Sequence, residues 1–166
     1  MYEKRVFVFC VLLTLSAAVL QAAPRIFGSA LAFAVLLNGF PVYIAARLSY
    51  ARGFAVYLSA AILLGLINTG EAFFFICTNG VIGLSLGIAM APAISALLDT
   101  AILFIVNYLF GISIFSSPAF NAPILEALLL FPPMYLYCFL YLKLSMPLDS
   151  LLHRYIELNT HTLPFI

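Results

Sequence analysis

The sequence predicts an all-α, polytopic integral membrane protein, and three observations carry that prediction. Of 166 residues, 66% are hydrophobic and only 8% are charged, against roughly 45–50% and 25% in soluble domains. A soluble globule of this size has too little interior to hide so much apolar side chain. The apolar residues also come in runs close to the roughly 20 that cross a bilayer as a helix. The polar breaks between those runs then place nearly all the basic charge on one side.

The breaks mark six spans. The first run, 6–23, follows Lys4-Arg5 and stops at Ala23-Pro24-Arg25. The second, 26–46, stops at Arg47, where Arg47–Gly53 forms the clearest hydrophilic turn. The third covers 53–69. The fourth, 71–90, follows the tight Asn68-Thr69-Gly70. Met90-Ala91-Pro92 turns the chain into the fifth, 92–112, because proline is tolerated at a helix start. Gly111–Pro123, rich in Ser, Pro and Asn, reads as a loop. The sixth run, 122–143, carries Pro132-Pro133, which predicts a kink or break there. The resulting division is a six-helix transmembrane domain, 1–144, and a tail, 145–166. Leu148, Leu151, Leu152, Tyr155 and Leu158 recur at helical spacing in that tail, so it reads as an amphipathic helix on the membrane surface or docked on a partner, or else as a solvated helix.

Orientation follows from charge. With six spans and a cytoplasmic N-terminus, Lys4, Arg5, Arg47, Arg52, Lys143 and Arg154 fall inside and only Arg25 falls outside, as the positive-inside rule predicts. An odd number of spans spoils that bias, so both termini are expected in the cytoplasm. The N-terminus also carries a second pattern, basic residues, an apolar stretch and small residues near Leu20–Pro24, which fits a cleavable signal peptide. Cleavage would leave five spans.

Several function classes find no support. Net charge is +1, which points to no nucleic acid. Cys10, Cys77 and Cys138 lie far apart in apolar runs, so they read as small hydrophobes and not as metal ligands or a disulfide framework. There is no nucleotide loop, no metal spacing and no motif for a cofactor, and both histidines lie in the tail. No catalytic residue is assigned, and an enzyme is not expected. Tryptophan is absent, leaving Tyr and Phe to anchor the interfaces.

Polar groups inside a bilayer are costly and therefore informative, around 2.5–3.5 kcal/mol for an acid at a helix centre. Glu71 opens the fourth span at its outer end, and Glu126 lies about one turn into the sixth. Arg25, Asn68, Asn107, Tyr108 and Asn121 reach the same level. Such convergence fits a small-molecule pocket open to the outside, with Glu71, Glu126, Asn107, Tyr108 and Arg25 as ligand contacts and Asn79 deeper. It also fits side chains that merely touch interfacial water. Asp99, about two turns into the fifth span from inside, fits a hydrogen bond between helices. Asn79-Gly80 falls mid-span, where it can bond across helices or bend the span inward.

Gly83-x-x-x-Gly87 places two glycines on one helix face, and Ala61-x-x-x-Gly65, Ala18-x-x-x-Ala22 and Ala30-x-x-x-Ala34 repeat the small-residue spacing. Lacking a hydrophobic force between helices, membrane proteins use such faces for close van der Waals packing. The face serves either packing within the chain or docking of another membrane subunit.

Leu37–Leu66, LNGFPVYIAARLSYARGFAVYLSAAILLGL, followed by Asn79–Gly87, NGVIGLSLG, resembles the YybS-like family of bacterial membrane proteins, over roughly residues 15–143. That family is similar to the substrate-binding S components of energy-coupling factor transporters. The resemblance implies an S-component-like six-helix bundle in the bacterial inner membrane. It also implies a vitamin-like molecule or metal ion bound near the outer face, and docking on a membrane coupling subunit driven by cytoplasmic ATPases. The chain departs from the pattern in having Ala18-x-x-x-Ala22 at the outer end of its first helix, and no tryptophan for stacking on a vitamin ring. An MreD-like scaffold of cell-wall elongation, which has a similar fold and no substrate, is the alternative. An adaptor that recruits a cytoplasmic partner through the tail is a third reading.

Overall fold

The structure, a computed structural model, describes residues 2–110 and 123–161, with side chains for 3–109, 124–148, 150 and 151. All of its regular elements there are helical. They are α1 (Tyr2–Phe27), a 3-10 segment (Ser29–Leu37) that leads into α2 (Gly39–Leu48), α3 (Tyr50–Ile67), α4 (Thr69–Cys77), α5 (Asn79–Gly87), α6 (Pro92–Phe110) and α7 (Pro123–His161). Among the described residues, six stretches are long and apolar enough to cross a membrane: Glu3–Phe27, Ser29–Leu48, Tyr50–Ile67, Thr69–Gly87, Pro92–Leu109 and Ile124–Leu148. The chain is thus an all-α, six-span bundle, with the turns near 70 and 91 where the sequence predicts them.

Helix boundaries have local causes. Asn68 caps α4, its side-chain oxygen accepting from the Glu71 backbone N–H at 3.0 Å, as an N-cap residue does. Prolines 92 and 123 each open a helix, where a missing N–H costs nothing. Past α5, Met90 N–H donates to Ser85 O and Ala89 N–H to Leu86 O, both at 3.1 Å. That pair is a Schellman motif. Its left-handed residue is Ala89, at φ 66°, where glycine is usual.

One boundary differs from expectation. The helix does not break at Pro132-Pro133, because α7 runs from Pro123 to His161 with both prolines inside it. Membrane helices tolerate proline when neighbours satisfy the freed backbone groups. The same helix carries the sixth apolar stretch on to Leu148, and Ser145 is fully buried. The predicted loop 111–122, Asn121 within it, and the side chains of the tail beyond Leu151 lie outside the described residues.

Two clusters form the core. One joins α1, α2, α3 and α4 through Ala17, Ala22, Val42, Ala60, Leu64 and Phe75. The other joins α2, α5, α6 and α7 through Tyr43, Ile82, Leu86, Ala96, Cys138 and Tyr141. Helix α2 is the wall they share. The outward faces are apolar, with Phe33, Leu66, Tyr108 and Leu109 among the most exposed side chains. Such a surface suits lipid tails.

Candidate functional site

The second and fourth spans are each interrupted near their middle, and both interruptions carry the dipeptide Asn-Gly. In one, the 3-10 segment gives way to α2 at Asn38-Gly39. In the other, α4 gives way to α5 at Thr78, with φ −129° and ψ −101°, followed by Asn79-Gly80. The two interruptions touch. A Cβ on Gly39 would lie 2.5 Å from Asn79 O and 2.8 Å from the Tyr141 hydroxyl. No other residue type fits at 39 without moving a backbone.

Side chains satisfy the interrupted backbone, as lipid requires. Asn79 Nδ2 donates to Val35 O at 3.0 Å. The Tyr137 hydroxyl lies 2.8 Å from Leu36 O and 3.1 Å from Asn79 Oδ1, and directs its hydrogen between them. On α4, Thr78 Oγ1 donates to Phe74 O at 2.7 Å and the Tyr57 hydroxyl to Ile76 O at 3.0 Å. Asn79 itself is buried.

Toward the end of the bundle away from the N-terminus, a polar ladder joins three spans. Gln21 Nε2 donates to Glu71 Oε2 at 2.6 Å, and Asn38 Nδ2 donates to Gln21 Oε1. Gln21 and Asn38 are almost completely buried, while Glu71 is partly exposed. The ladder therefore runs from the bundle end inward to the first helix interruption. At the same level, Asn107 Nδ2 donates to Glu126 Oε2, clamping α6 to α7. Glu126 is buried. Arg25 and Tyr108, named with these residues from sequence, are exposed and take no part in the ladder; Tyr108 stacks on Phe104 instead.

The small-residue face of α5 packs against α2. A Cβ on Gly83 would run into Gly39 O, and one on Gly87 would meet Ala46 Cβ at 2.5 Å and Tyr43 O at 2.9 Å. The glycines thus allow an intramolecular crossing in which backbone lies on backbone. Ala61 is buried in the first core cluster. Gly65 is different: it is exposed, and an added Cβ would meet only Ala72, at 3.9 Å. Position 65 therefore faces outward and makes no close backbone crossing among the described residues.

Asp99 is the outlier. It is 0% exposed, and neither carboxyl oxygen has a hydrogen-bond partner among the described residues. It shares the buried face of α6 with Ser95, Ala96, Thr100 and Leu103. Cys77, at the end of α4, and Tyr137 and Cys138 on α7 lie within its electrostatic reach. An acid at such depth costs around 2.5–3.5 kcal/mol on insertion scales and marks a functional position by default.

No family model, curated protein or solved structure matches this chain.

The site thus differs from the one read along the sequence. Asn79 lies at the centre, Glu71 and Glu126 tie helices, and Gln21, Asn38, Tyr137 and Tyr141 join unforeseen. Asn38-Gly39 carried the same turn signal as Asn79-Gly80, which was the available clue. Gln21 was obscured by its place beside the small residues that resemble a cleavage site.

Proposed function

We propose that this chain is a substrate-binding membrane subunit for uptake of a small solute, working with a coupling subunit and ATPases, with both termini in the bacterial cytoplasm. The observation that supports this most is the meeting of two interrupted spans at Asn38-Gly39 and Asn79-Gly80, near the middle of the bundle. Transporters use discontinuous helices to aim backbone dipoles and polar side chains at a solute, because irregular backbone is tolerated at that depth only where it lines protein or a cavity. The resemblance to S components points the same way. In this reading Glu71, Glu126 and Asn107 exchange their interhelical hydrogen bonds for solute contacts as the outer end opens, and Asn79 forms the floor. The chain itself hydrolyses nothing.

A specific observation favours the scaffold as a second reading. The acids Glu71 and Glu126 already bond to Gln21 and Asn107, as expected of polar groups that only hold helices together. Gentle purification from native membranes followed by mass spectrometry separates the two readings. A coupling subunit with ATPases, or a bound solute, supports uptake. Cell-wall synthesis proteins without a solute would overturn it.

A further inference from the structure

We infer that the solute carries net positive charge, and that the polar ladder from Glu71 to Asn79 is a cation-selective route that excludes carboxylates and phosphates. The inference rests on the uptake reading and adds the chemical class of what is taken up.

The route is continuous. Glu71 Oε2 accepts from Gln21, whose amide oxygen accepts from Asn38. Gly39, next in the chain, lies so close to Asn79 O that a Cβ on it would come within 2.5 Å. Asn79 Oδ1 in turn lies 3.1 Å from the Tyr137 hydroxyl. Glu71 is the charged member of this series and stands at its mouth, partly exposed. Glu126 adds a second carboxyl at the same level, buried and accepting from Asn107. Both accept from amide N–H groups, as ionised carboxylates do. Farther in, Asp99 lies within electrostatic reach of Tyr137, and in either protonation state it brings no positive charge.

No buried base offsets these acids. Among the described residues every Lys and Arg side chain is at least partly exposed. A cleft lined by one sign of charge, with low-dielectric walls, concentrates solutes of the opposite sign. The competing effect comes from helix ends: the N-termini of α2 and α5 fall at the two interruptions and carry partial positive charge, about half a unit each. Each faces, across its own break, the C-terminal carbonyls of the half-span before it, so the partial charges at each break oppose one another. The whole charges of Glu71 and Glu126 therefore set the sign. An anionic solute would pass both with no basic partner inside to receive it.

The test places a thiol on the route. Asn38→Cys and, separately, Asn79→Cys are combined with Cys10→Ala, Cys77→Ala and Cys138→Ala, and the purified chains are labelled in detergent micelles at low ionic strength. The reagents are trimethylammonium-ethyl and sulfonatoethyl methanethiosulfonate, alike in reactive group and opposite in charge. Rates are divided by those of each reagent with free 2-mercaptoethanol. The expected result is a preference for the cationic reagent of about tenfold or more, reduced severalfold by Glu71→Gln and by added salt. Where one cysteine variant does not fold, the other decides, and Gln21→Cys replaces both if neither folds. Equal normalised rates, or faster labelling by the sulfonate, overturn the charge class and leave the uptake reading standing. A preference unchanged by Glu71→Gln and by Glu126→Gln also overturns it, since the carboxyls would not be its source. Labelling by neither reagent removes the route, and the uptake reading with it.

Discussion

Asn79 on α5 donates its side-chain amide to Val35 O across 3.0 Å, tying one interrupted span to the other. The bond does more than join two helices, because Val35 O, which also accepts from Asn38 N–H at 3.3 Å, lies where the 3-10 segment passes into α2. Asn79→Leu removes the donor and also the acceptor beside the Tyr137 hydroxyl. Single interhelical bonds in membranes average about 0.6 kcal/mol and reach about 1.7. With the tie between the two spans gone and the Tyr137 hydroxyl left with Leu36 O as its acceptor, a loss of about 0.5–2 kcal/mol is expected in a dodecyl-sulfate unfolding titration. A loss below about 0.5 kcal/mol, the range of neutral surface changes, would mean that another contact holds the interruptions together.

The glycines make a sharper contrast. At Gly83 the obstacle to a methyl group is the Gly39 backbone, which cannot rotate away. Gly83→Ala should cost about 1–3 kcal/mol, the range for overpacking. Gly65→Ala meets open lipid and should gain up to about 1 kcal/mol of helix propensity. The same titration compares them. Equal behaviour of the two variants would refute the close crossing of α2 and α5.

These contacts also indicate what the sequence could and could not reveal. Span number and placement were legible because each apolar run is long and each turn carries Gly, Pro, Asn or Arg. The small-residue face at Gly83 and Gly87 was legible too, since spacing of four on a helix defines one face. The partner of that face was not legible, because Gly39 and Tyr43 belong to a distant segment and spacing says nothing across the chain. The same limit hid the ladder: Gln21 and Glu71 are fifty residues apart. Gly65 shows the same limit on another helix, since spacing alone does not tell that it faces outward while Ala61 lies in the core.

Ala89 offers a gain of stability. It occupies the left-handed position of the turn after α5 at φ 66°, which costs a residue with a Cβ roughly 1–2 kcal/mol. Both hydrogen bonds of the motif come from backbone atoms and are indifferent to the side chain. Ala89→Gly should therefore stabilise the protein, by about 1 kcal/mol after the entropy of a freer unfolded chain is subtracted. Thermal unfolding in detergent measures it, and a lower midpoint would place the strain elsewhere.

The Gln21–Glu71 bond bears on stability and function together. Gln21 is enclosed between α1 and its neighbours, donating to Glu71 at 2.6 Å and accepting from Asn38. A double-mutant cycle with Gln21→Ala and Glu71→Ala should give a coupling of about 0.5–2 kcal/mol, as for residues in one hydrogen-bond network. If Glu71 serves only the ladder, the two single variants should be interchangeable: equal losses of stability and no further phenotype. If Glu71 also meets a solute, Glu71→Ala should abolish co-purification of that solute while Gln21→Ala, at similar stability, retains it. The comparison holds folding constant and varies only the carboxylate. Identical retention in both variants would assign Glu71 to helix packing and leave Asn79 and the two interruptions as the remaining candidates for solute contact.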